Sequence, residues 1–263
     1  MKDLKFLTKQ EIRKAAYSAY TKEPLSTLSD RYTHIPTSRV IEDMENLGWG
    51  VVEAKQVKSR KNKGTQKHLI VFRNPDVAIE GNDGDTVYPQ ILLTNSHDGK
   101  NSFKFEAGLF RMICSNGLVI KSENFGSIKI RHLNYSFEEL EETILNMVEM
   151  LPLTVESMNT MKQIQLDQKQ ILDFAKKATG TRFPKDQLNR IKIDYEELVK
   201  PTRKEDEGTD LWSVFNIVQE KLIEGDFEYR SANKIRKARK IKNFIQDQKV
   251  NQDLFELALE YTS

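Results

Sequence analysis

The chain has 263 residues, of which 38% are hydrophobic and 30% are charged, and its formal net charge is +2. This balance is typical of a globular protein with a well-solvated surface, and the small net charge does not by itself indicate a nucleic-acid-binding protein. No apolar run approaches the roughly 18 residues of a membrane span, and no signal-peptide stretch follows the N-terminus. We therefore expect no membrane partner. Because Cys114 is the single cysteine and permits no internal disulfide, we expect a cytoplasmic protein.

Two helices are predicted before the first strand. Thr8–Glu11 has the form of a capping box, in which the threonine caps a helix and the glutamate three residues later bonds back. The helix that it opens is predicted to run to about Tyr20. A second helix follows Pro36 and ends near Gly48.

The middle of the chain has the periodicity of an antiparallel meander. The predicted strands are Val51–Val57, His68–Phe72, Thr86–Asn95, Phe103–Met112, Leu118–Lys121 and Ile128–His132. Asp98-Gly99 and Asn116-Gly117 are tight-turn signals. The apolar pattern changes parity after Gly108, which predicts a bulge there.

From Ser136 onward the pattern is helical. A second capping box opens a helix that Pro152 is predicted to kink or end. The segment Arg230–Lys242 alternates cations with apolar residues, which predicts a helix with one buried stripe and a cationic surface. The last helix is predicted from about Gln252.

This order of elements predicts an α+β fold: a central antiparallel β-meander with N-terminal helices and a helical C-terminal half packed on or beside the sheet. Residues 1–135 are expected to form the helical lead and the sheet. Residues 136–263 are expected to form a helical region, either as a separate domain or as part of the same one.

Two polar segments in the meander are candidates for chemistry. Thr94–Gly99 is either a turn, since asparagine, serine, aspartate and glycine favour turns, or a site that presents His97 and Asp98 to a ligand. Arg111 lies in an apolar strand and needs an anionic partner, which is either an internal carboxylate or a ligand. His132 is either a core histidine or part of the same site. The candidate catalytic residues are therefore His97, Asp98, Arg111 and His132, and the candidate ligand-contacting turn residues are Asn95, Ser96, Ser115 and Asn116.

No strong metal or cofactor motif accompanies these residues. His97, Asp98, Cys114 and His132 come from neighbouring strands or turns and could converge. The sequence nevertheless lacks CxxC, HExxH and paired DxD motifs. We therefore predict no metal and no cofactor, and an enzyme ranks below a binding protein.

Two short segments concentrate basic residues. Each is either a solvated surface or a surface that contacts phosphates. The candidate nucleic-acid-binding residues are Lys58, Arg60, Lys61 and Lys63 in the first segment and Arg236, Lys237, Arg239 and Lys240 in the second.

Several motifs resemble the phage/plasmid-like family that carries domain of unknown function 932. The motifs are Leu93–Gly99, Gly108–Gly117, Ile130–His132, Leu28–Tyr32 with Ile35–Thr37, and Leu211–Asn216. They cover nearly the whole chain. The resemblance implies a role on a phage, prophage or plasmid, and it transfers no catalytic residue.

Three functional hypotheses follow. The first is a DNA-binding protein for replication or recombination of a mobile element, with single-stranded DNA favoured as partner and a homo-oligomer possible. The order of helix, meander and long helix is similar to that of phage single-strand annealing proteins, a likeness without a shared motif. The alternatives are an interaction protein that binds a host or phage protein to block host defence, and an enzyme acting on a nucleotide or nucleic acid through the His97 region.

Overall fold

The computed structural model of the chain describes residues 5–26, 28, 34–59, 63–77, 79–80, 86–101, 103–111, 116–119, 136–232 and 234–262. The chain divides into two compact units, Met1–Leu151 and Pro152–Ser263. No helix in these described ranges is long and apolar enough to cross a membrane.

The first unit begins with helix Lys9–Ala15, which ends before the predicted Tyr20. A separate 3₁₀ helix at Tyr17–Tyr20 and the predicted second helix, Thr37–Asn46, follow. The capping box is confirmed, because the Thr8 hydroxyl accepts from the Glu11 amide at 3.3 Å and the Glu11 carboxylate accepts from the Thr8 amide at 2.8 Å. Gly48 follows the second helix with φ of 84°. A left-handed residue at that position ends the helix as predicted.

The first unit contains an antiparallel sheet with six strands among the described residues. They are β1 (Gly50–Gln56), β2 (His68–Arg73), β3 (Ile79–Glu80), β4 (Thr86–Asn95), β5 (Lys104–Arg111) and β6 (Asn116–Val119). The main order is β1-β2-β4-β5-β6, and the two-residue β3 pairs with β4. The predicted meander is confirmed.

The central strands β2 and β4 are buried on both faces. Every residue of His68–Phe72 and Gln90–Asn95 is at most 4% exposed. Two-sided burial removes the usual alternation of polar and apolar residues along a strand, and it explains why both strands read as nearly continuous apolar runs.

Two predicted irregularities of the sheet are wrong. Strands β4 and β5 pair in unbroken register from Val87↔Arg111 to Thr94↔Lys104, so there is no bulge after Gly108. Asn116 and Gly117 do not form a turn but open β6, opposite Arg111 and Phe110. The connection at 112–115 and the predicted strand Ile128–His132 lie outside the described residues.

Helix Phe137–Gln163 contains the boundary between the two units. Pro152 lies inside this helix, so of the two predicted effects, a kink or an end, the end is wrong and the kink stays a prediction. Proline removes one backbone donor, but the turns on either side retain their own hydrogen bonds.

The second unit contains the helices Gln168–Arg182, Lys185–Leu188, Tyr195–Leu198, Leu211–Glu224 and Phe244–Leu259 and a 3₁₀ helix at Lys204–Asp206. Its three longest complete helices pack against one another. Phe174, Phe215 and Phe255 supply one fully buried ring from each. The last helix begins at Phe244 rather than near Gln252.

The second unit also contains a three-stranded antiparallel sheet, in the order β7 (Ile191–Ile193), β8 (Glu228–Ser231) and β9 (Lys234–Lys237). The predicted helix over Arg230–Lys242 is therefore wrong. Ile235, Ala238 and Ile241 recur every three residues like one face of a helix, but Ile235 is 63% exposed and only the other two are buried. The sheet interrupts the predicted helical half, and the α+β class is confirmed.

Gly225 permits a close backbone contact in this unit. It ends helix Leu211–Glu224 with φ of 78°, and a Cβ built there would lie 2.4 Å from the carbonyl carbon of Arg239. Any side chain would force the segment that follows β9 away from the helix end.

We expect Gly225→Ala to lower the free energy of unfolding by roughly 2–4 kcal/mol, because it adds left-handed strain to a backbone clash. Urea unfolding followed by circular dichroism measures the change. Gly180→Ala is the matched control: it lies in helix Gln168–Arg182, where no atom of the described chain is within 4 Å of a new Cβ, and we expect it to stabilise the protein by about 0.5–1 kcal/mol. Equal urea midpoints for Gly225→Ala and wild type would show that the Arg239 backbone moves away from the new methyl group without loss of stability.

Candidate nucleic-acid interface

The β8–β9 hairpin and the segment after it are rich in basic residues. Residues 228–242 contain seven lysines and arginines against one acidic residue, Glu228. We refer to residues 228–242 as the basic hairpin.

Cross-strand pairing places an aromatic ring beside an arginine. Tyr229 is the partner of Arg236 in the β8–β9 register, and Glu228 is the partner of Lys237. Directly opposed residues of an antiparallel pair share one face, and successive residues alternate. One face of the hairpin therefore carries Tyr229 with Arg236, and the acidic Glu228 is on the other.

A concavity of about 890 Å³ opens beside this face. Its lining residues are four cations, two aromatic residues and one alanine: Arg182, Arg236, Lys237, Arg239, Phe183, Tyr229 and Ala238. No carboxylate of the described residues lines it. We call it the Tyr229 concavity.

A second concavity of about 280 Å³ differs in charge. Asp194 and Glu228 line it together with Lys192 and Arg230. Two carboxylates offset the two cations, so this surface is less suited to a polyanion than the Tyr229 concavity.

Arg182 lies in the wall of the Tyr229 concavity but is engaged with the backbone. Its Nη1 donates to the carbonyl of Leu222 and its Nη2 donates to the carbonyl of Arg239 at 2.5 Å. Burial lowers the pKa of Arg182, and the nearby Tyr229 opposes that shift. A guanidinium at the last turn of helix Leu211–Glu224 also interacts favourably with the helix dipole. Arg182 thus positions the basic hairpin.

The segment after β9 presents its cations outward because its apolar residues are held inward. The Ala238 amide donates to the Phe227 carbonyl at 2.9 Å, and the Ile241 amide donates to the Ile223 carbonyl at 2.8 Å. Ala238 and Ile241 are each 7% exposed. The three remaining residues of 239–242, Arg239, Lys240 and Lys242, are exposed.

The predicted binding cations differ in their local partners. Lys237 pairs with Asp226 at 3.1 Å and Lys240 pairs with Glu224 at 2.7 Å, and all four side chains are more than 40% exposed. Exposed pairs of this kind are worth about 1 kcal/mol or less, so a phosphate can replace the carboxylate. Arg236 and Arg239 have no carboxylate partner within the described parts of the chain.

The first basic segment belongs to the other unit. Lys58 and Lys63 are exposed. Arg60 and Lys61 lie outside the described residues, and the contribution of all four to binding stays a prediction.

The first four residues of the polar segment Thr94–Gly99 are buried, and its last residue is exposed. His97 is fully buried, with its ring centroid 4.5 Å from that of His34 and 5.3 Å from that of His68. Asp98 accepts hydrogen bonds from the Ser96 hydroxyl at 2.7 Å and the Lys100 amide at 3.1 Å. These contacts are those of an aspartate that stabilises its own turn.

The buried His68 is the centre of a hydrogen-bond network. Its Nδ1 lies 2.9 Å from the Ser18 hydroxyl and 3.0 Å from the Gln66 carbonyl, and its Nε2 lies 2.8 Å from the Thr37 hydroxyl. A carbonyl only accepts, so we assign the proton to Nδ1 and let Thr37 donate to Nε2. Asn95 in turn donates to the Thr37 hydroxyl at 3.0 Å.

This network links the N-terminal helices to the sheet. Ser18 is in the 3₁₀ helix, Thr37 opens the second helix, and His68 and Asn95 are opposed residues of β2 and β4. Asn95 bonds a helix residue, and Ser96 donates its amide to Asn95 at 2.8 Å. The predicted ligand contacts of both residues stay predictions. Nothing in the local sequence distinguishes Ser18, Thr37 and His68 as partners, because they are far apart in the chain.

Convergence of the four candidate catalytic residues stays a prediction. Ser115 and His132 lie outside the described residues, and Arg111 and Asn116 are placed by their backbones alone. Within the described ranges, no group of three or more histidine, cysteine, aspartate or glutamate side chains is arranged to hold a metal ion.

The Tyr229 concavity includes residues that the sequence did not single out. Arg182, Phe183 and Tyr229 line the Tyr229 concavity together with the predicted Arg236 and Arg239. Arg182 and Phe183 end a helix more than forty residues before the hairpin. Only Tyr229, next to a run of cations, carried a local signal.

Stability should depend on pH through His68. Burial lowers its pKa from 6.5 to about 4. The unfolded chain therefore binds this proton at higher pH than the folded chain, and the free energy of unfolding falls as pH drops from 6.5 towards 4. The full loss corresponds to about 3 kcal/mol.

We expect His68→Gln to be less stable than wild type at pH 7.5 but to show a flatter decline between pH 6.5 and 4, measured by urea unfolding. His34→Gln is the matched control. Burial also lowers the pKa of His34, but its ring is only half-buried, so we expect this substitution to flatten the dependence of stability on pH less. If the free energy of unfolding of His68→Gln falls with pH as steeply as that of wild type, His68 is not the cause of the pH dependence.

Comparisons with known proteins place the chain in a family. The model of the family described as "Domain of unknown function (DUF932)" matches residues 24–254. The UPF0380 protein YafZ of Escherichia coli (strain K12) is 29% identical over 255 residues, which cover 96% of this chain and 90% of that protein. The UPF0380 protein YfjQ of the same organism is 28% identical with the same coverage.

No solved structure matches the chain. The family match extends from the segment before the second helix to the last helix, through both compact units. The chain belongs to the DUF932 family.

Proposed function

We propose that this protein binds DNA through the basic hairpin and acts in replication or recombination of a mobile genetic element. The observation that carries the proposal is the exposed pair Arg236 and Arg239, which lack a carboxylate partner among the described residues and line a concavity without acidic side chains. The mobile-element role rests on the motif resemblance to the phage/plasmid-like family.

Local charge supports this proposal although the whole chain is nearly neutral. Seven cations in fifteen residues create a local positive field, and proteins bind DNA by replacing condensed counterions at surfaces of that kind. Arginine suits the task because its planar guanidinium can bond two phosphate oxygens at once.

A simpler explanation accounts for part of the charge. Lysines on an edge strand such as β9 prevent pairing with another chain. That explanation does not cover Arg239, Lys240 and Lys242, which follow the strand and are held outward by the buried Ala238 and Ile241. We therefore favour phosphate contact for the segment as a whole.

We expect the double variant Arg236→Glu/Arg239→Glu to bind DNA at least about tenfold more weakly at 100 mM salt, because two phosphate contacts are lost and two carboxylates repel the backbone. Fluorescence polarisation with labelled DNA across a salt series gives the affinity. The slope of log K against log salt is negative, and its magnitude should decrease by about 1.4 for single strands.

The control is Lys169→Glu/Lys176→Glu, which makes the same charge change at exposed positions of helix Gln168–Arg182. We expect its affinity and salt slope to stay within twofold of wild type. Equal losses in both variants would show that only net charge matters. No binding of wild type at low salt would refute the proposal and direct the search to protein partners.

A further inference from the structure

Aromatic rings and cations lie side by side in the Tyr229 concavity. The rings of Phe183 and Tyr229 have centroids 5.8 Å apart and planes inclined at 60°. Arg236 is opposite Tyr229 in the strand pairing, and Arg239 lines the same concavity. A surface that only held phosphates would need the cations but not the rings.

Tyr229 is the ring that a ligand can reach. Phe183 is 8% exposed, and it is packed against Phe227 and the Arg182 guanidinium, whose centres lie 6.2 Å and 5.3 Å from its ring centroid. Tyr229 is half-buried. Phe183 therefore supports Tyr229 from one side, and the rest of the tyrosine ring remains available for stacking.

The aromatic and cationic residues that line the concavity favour a ligand that has a flat ring with a negatively charged group next to it. Its volume of about 890 Å³ is within the range of ligand sites, roughly 300–1,000 Å³. Stacking requires a free base face, and in a duplex both faces of each base are occupied by its neighbours. Single strands offer the free faces on which aromatic residues stack.

We propose that the Tyr229 concavity binds an unstacked base of single-stranded DNA, with Tyr229 as the stacking ring and Arg236 and Arg239 on the flanking phosphates. This inference rests on the proposed function and gives it a substrate class. Arg182 acts as a positioning residue, since its bonds to the Leu222 and Arg239 carbonyls hold the hairpin against the helix end.

The test uses the full chain and three fluorescein-labelled probes of equal length: oligo(dT), an abasic oligonucleotide, and a duplex. Wild type is expected to bind oligo(dT) about tenfold more tightly than the abasic strand, because stacking on an aromatic residue adds this much per base. Tyr229→Leu should lose about tenfold for oligo(dT) and less than twofold for the duplex. Tyr229→Phe should match wild type.

A second measurement reports stacking directly. One 2-aminopurine in oligo(dT) should lose fluorescence on binding wild type or Tyr229→Phe and keep it with Tyr229→Leu at saturating protein. Circular dichroism establishes that each variant is folded, and if Tyr229→Leu is not, the comparison of oligo(dT) with the abasic strand on wild type decides.

The outcomes separate the two proposals. Equal affinity of wild type for oligo(dT) and the abasic strand, without a change in 2-aminopurine fluorescence, would overturn base stacking while leaving phosphate binding intact. Failure to bind any of the three probes would overturn both. Tighter binding of oligo(rU) than of oligo(dT) would overturn the assignment to DNA.

Discussion

The basic hairpin depends on one guanidinium. Arg182 donates to the carbonyl of Leu222, at the end of a helix, and to the carbonyl of Arg239, in the segment that carries the exposed cations. The contact is possible because Gly225 has no side chain where the Arg239 backbone approaches. A charged donor and a missing Cβ thus hold a segment of like charges, which would otherwise repel one another, in one conformation.

The two polar regions of the molecule use their hydrogen-bonding side chains for opposite purposes. In the first unit, His68, Thr37 and Asn95 satisfy one another in a buried network, and burial keeps His68 neutral at physiological pH. In the second unit, Arg236 and Arg239 are exposed and have no carboxylate partner among the described residues. A satisfied network stabilises a fold and leaves little capacity for a ligand, whereas exposed cations beside an aromatic ring retain that capacity.

The features that could be predicted correctly from the sequence are those that neighbouring residues determine. Strand Thr86–Asn95 has the predicted bounds, and the Thr8 capping box is formed. The hairpin at 228–237 was missed because Ile235, Ala238 and Ile241 imitate helical spacing, and because its turn uses Ala232 with φ of 52°, a residue that signals no turn. Asn116-Gly117 was wrongly predicted to form a turn, because strand pairing with β5 overrides its turn preference. The Tyr229 concavity depends on Arg182 and Phe183, whose position beside the hairpin is a tertiary fact that no local pattern records.

The open side of β9 has a further consequence. β9 is the last strand in the order β7-β8-β9, and three of its four residues are cations. β9 pairs with β8 on one side, and no strand among the described residues pairs with its outer edge. Like charges along such an edge keep the same strand of another copy away. Under the proposed function, phosphates bound there would neutralise the charge that separates the copies. Repulsion between neighbouring copies would then weaken along a polyanion, so self-association would become a property of the bound state and free copies would stay apart.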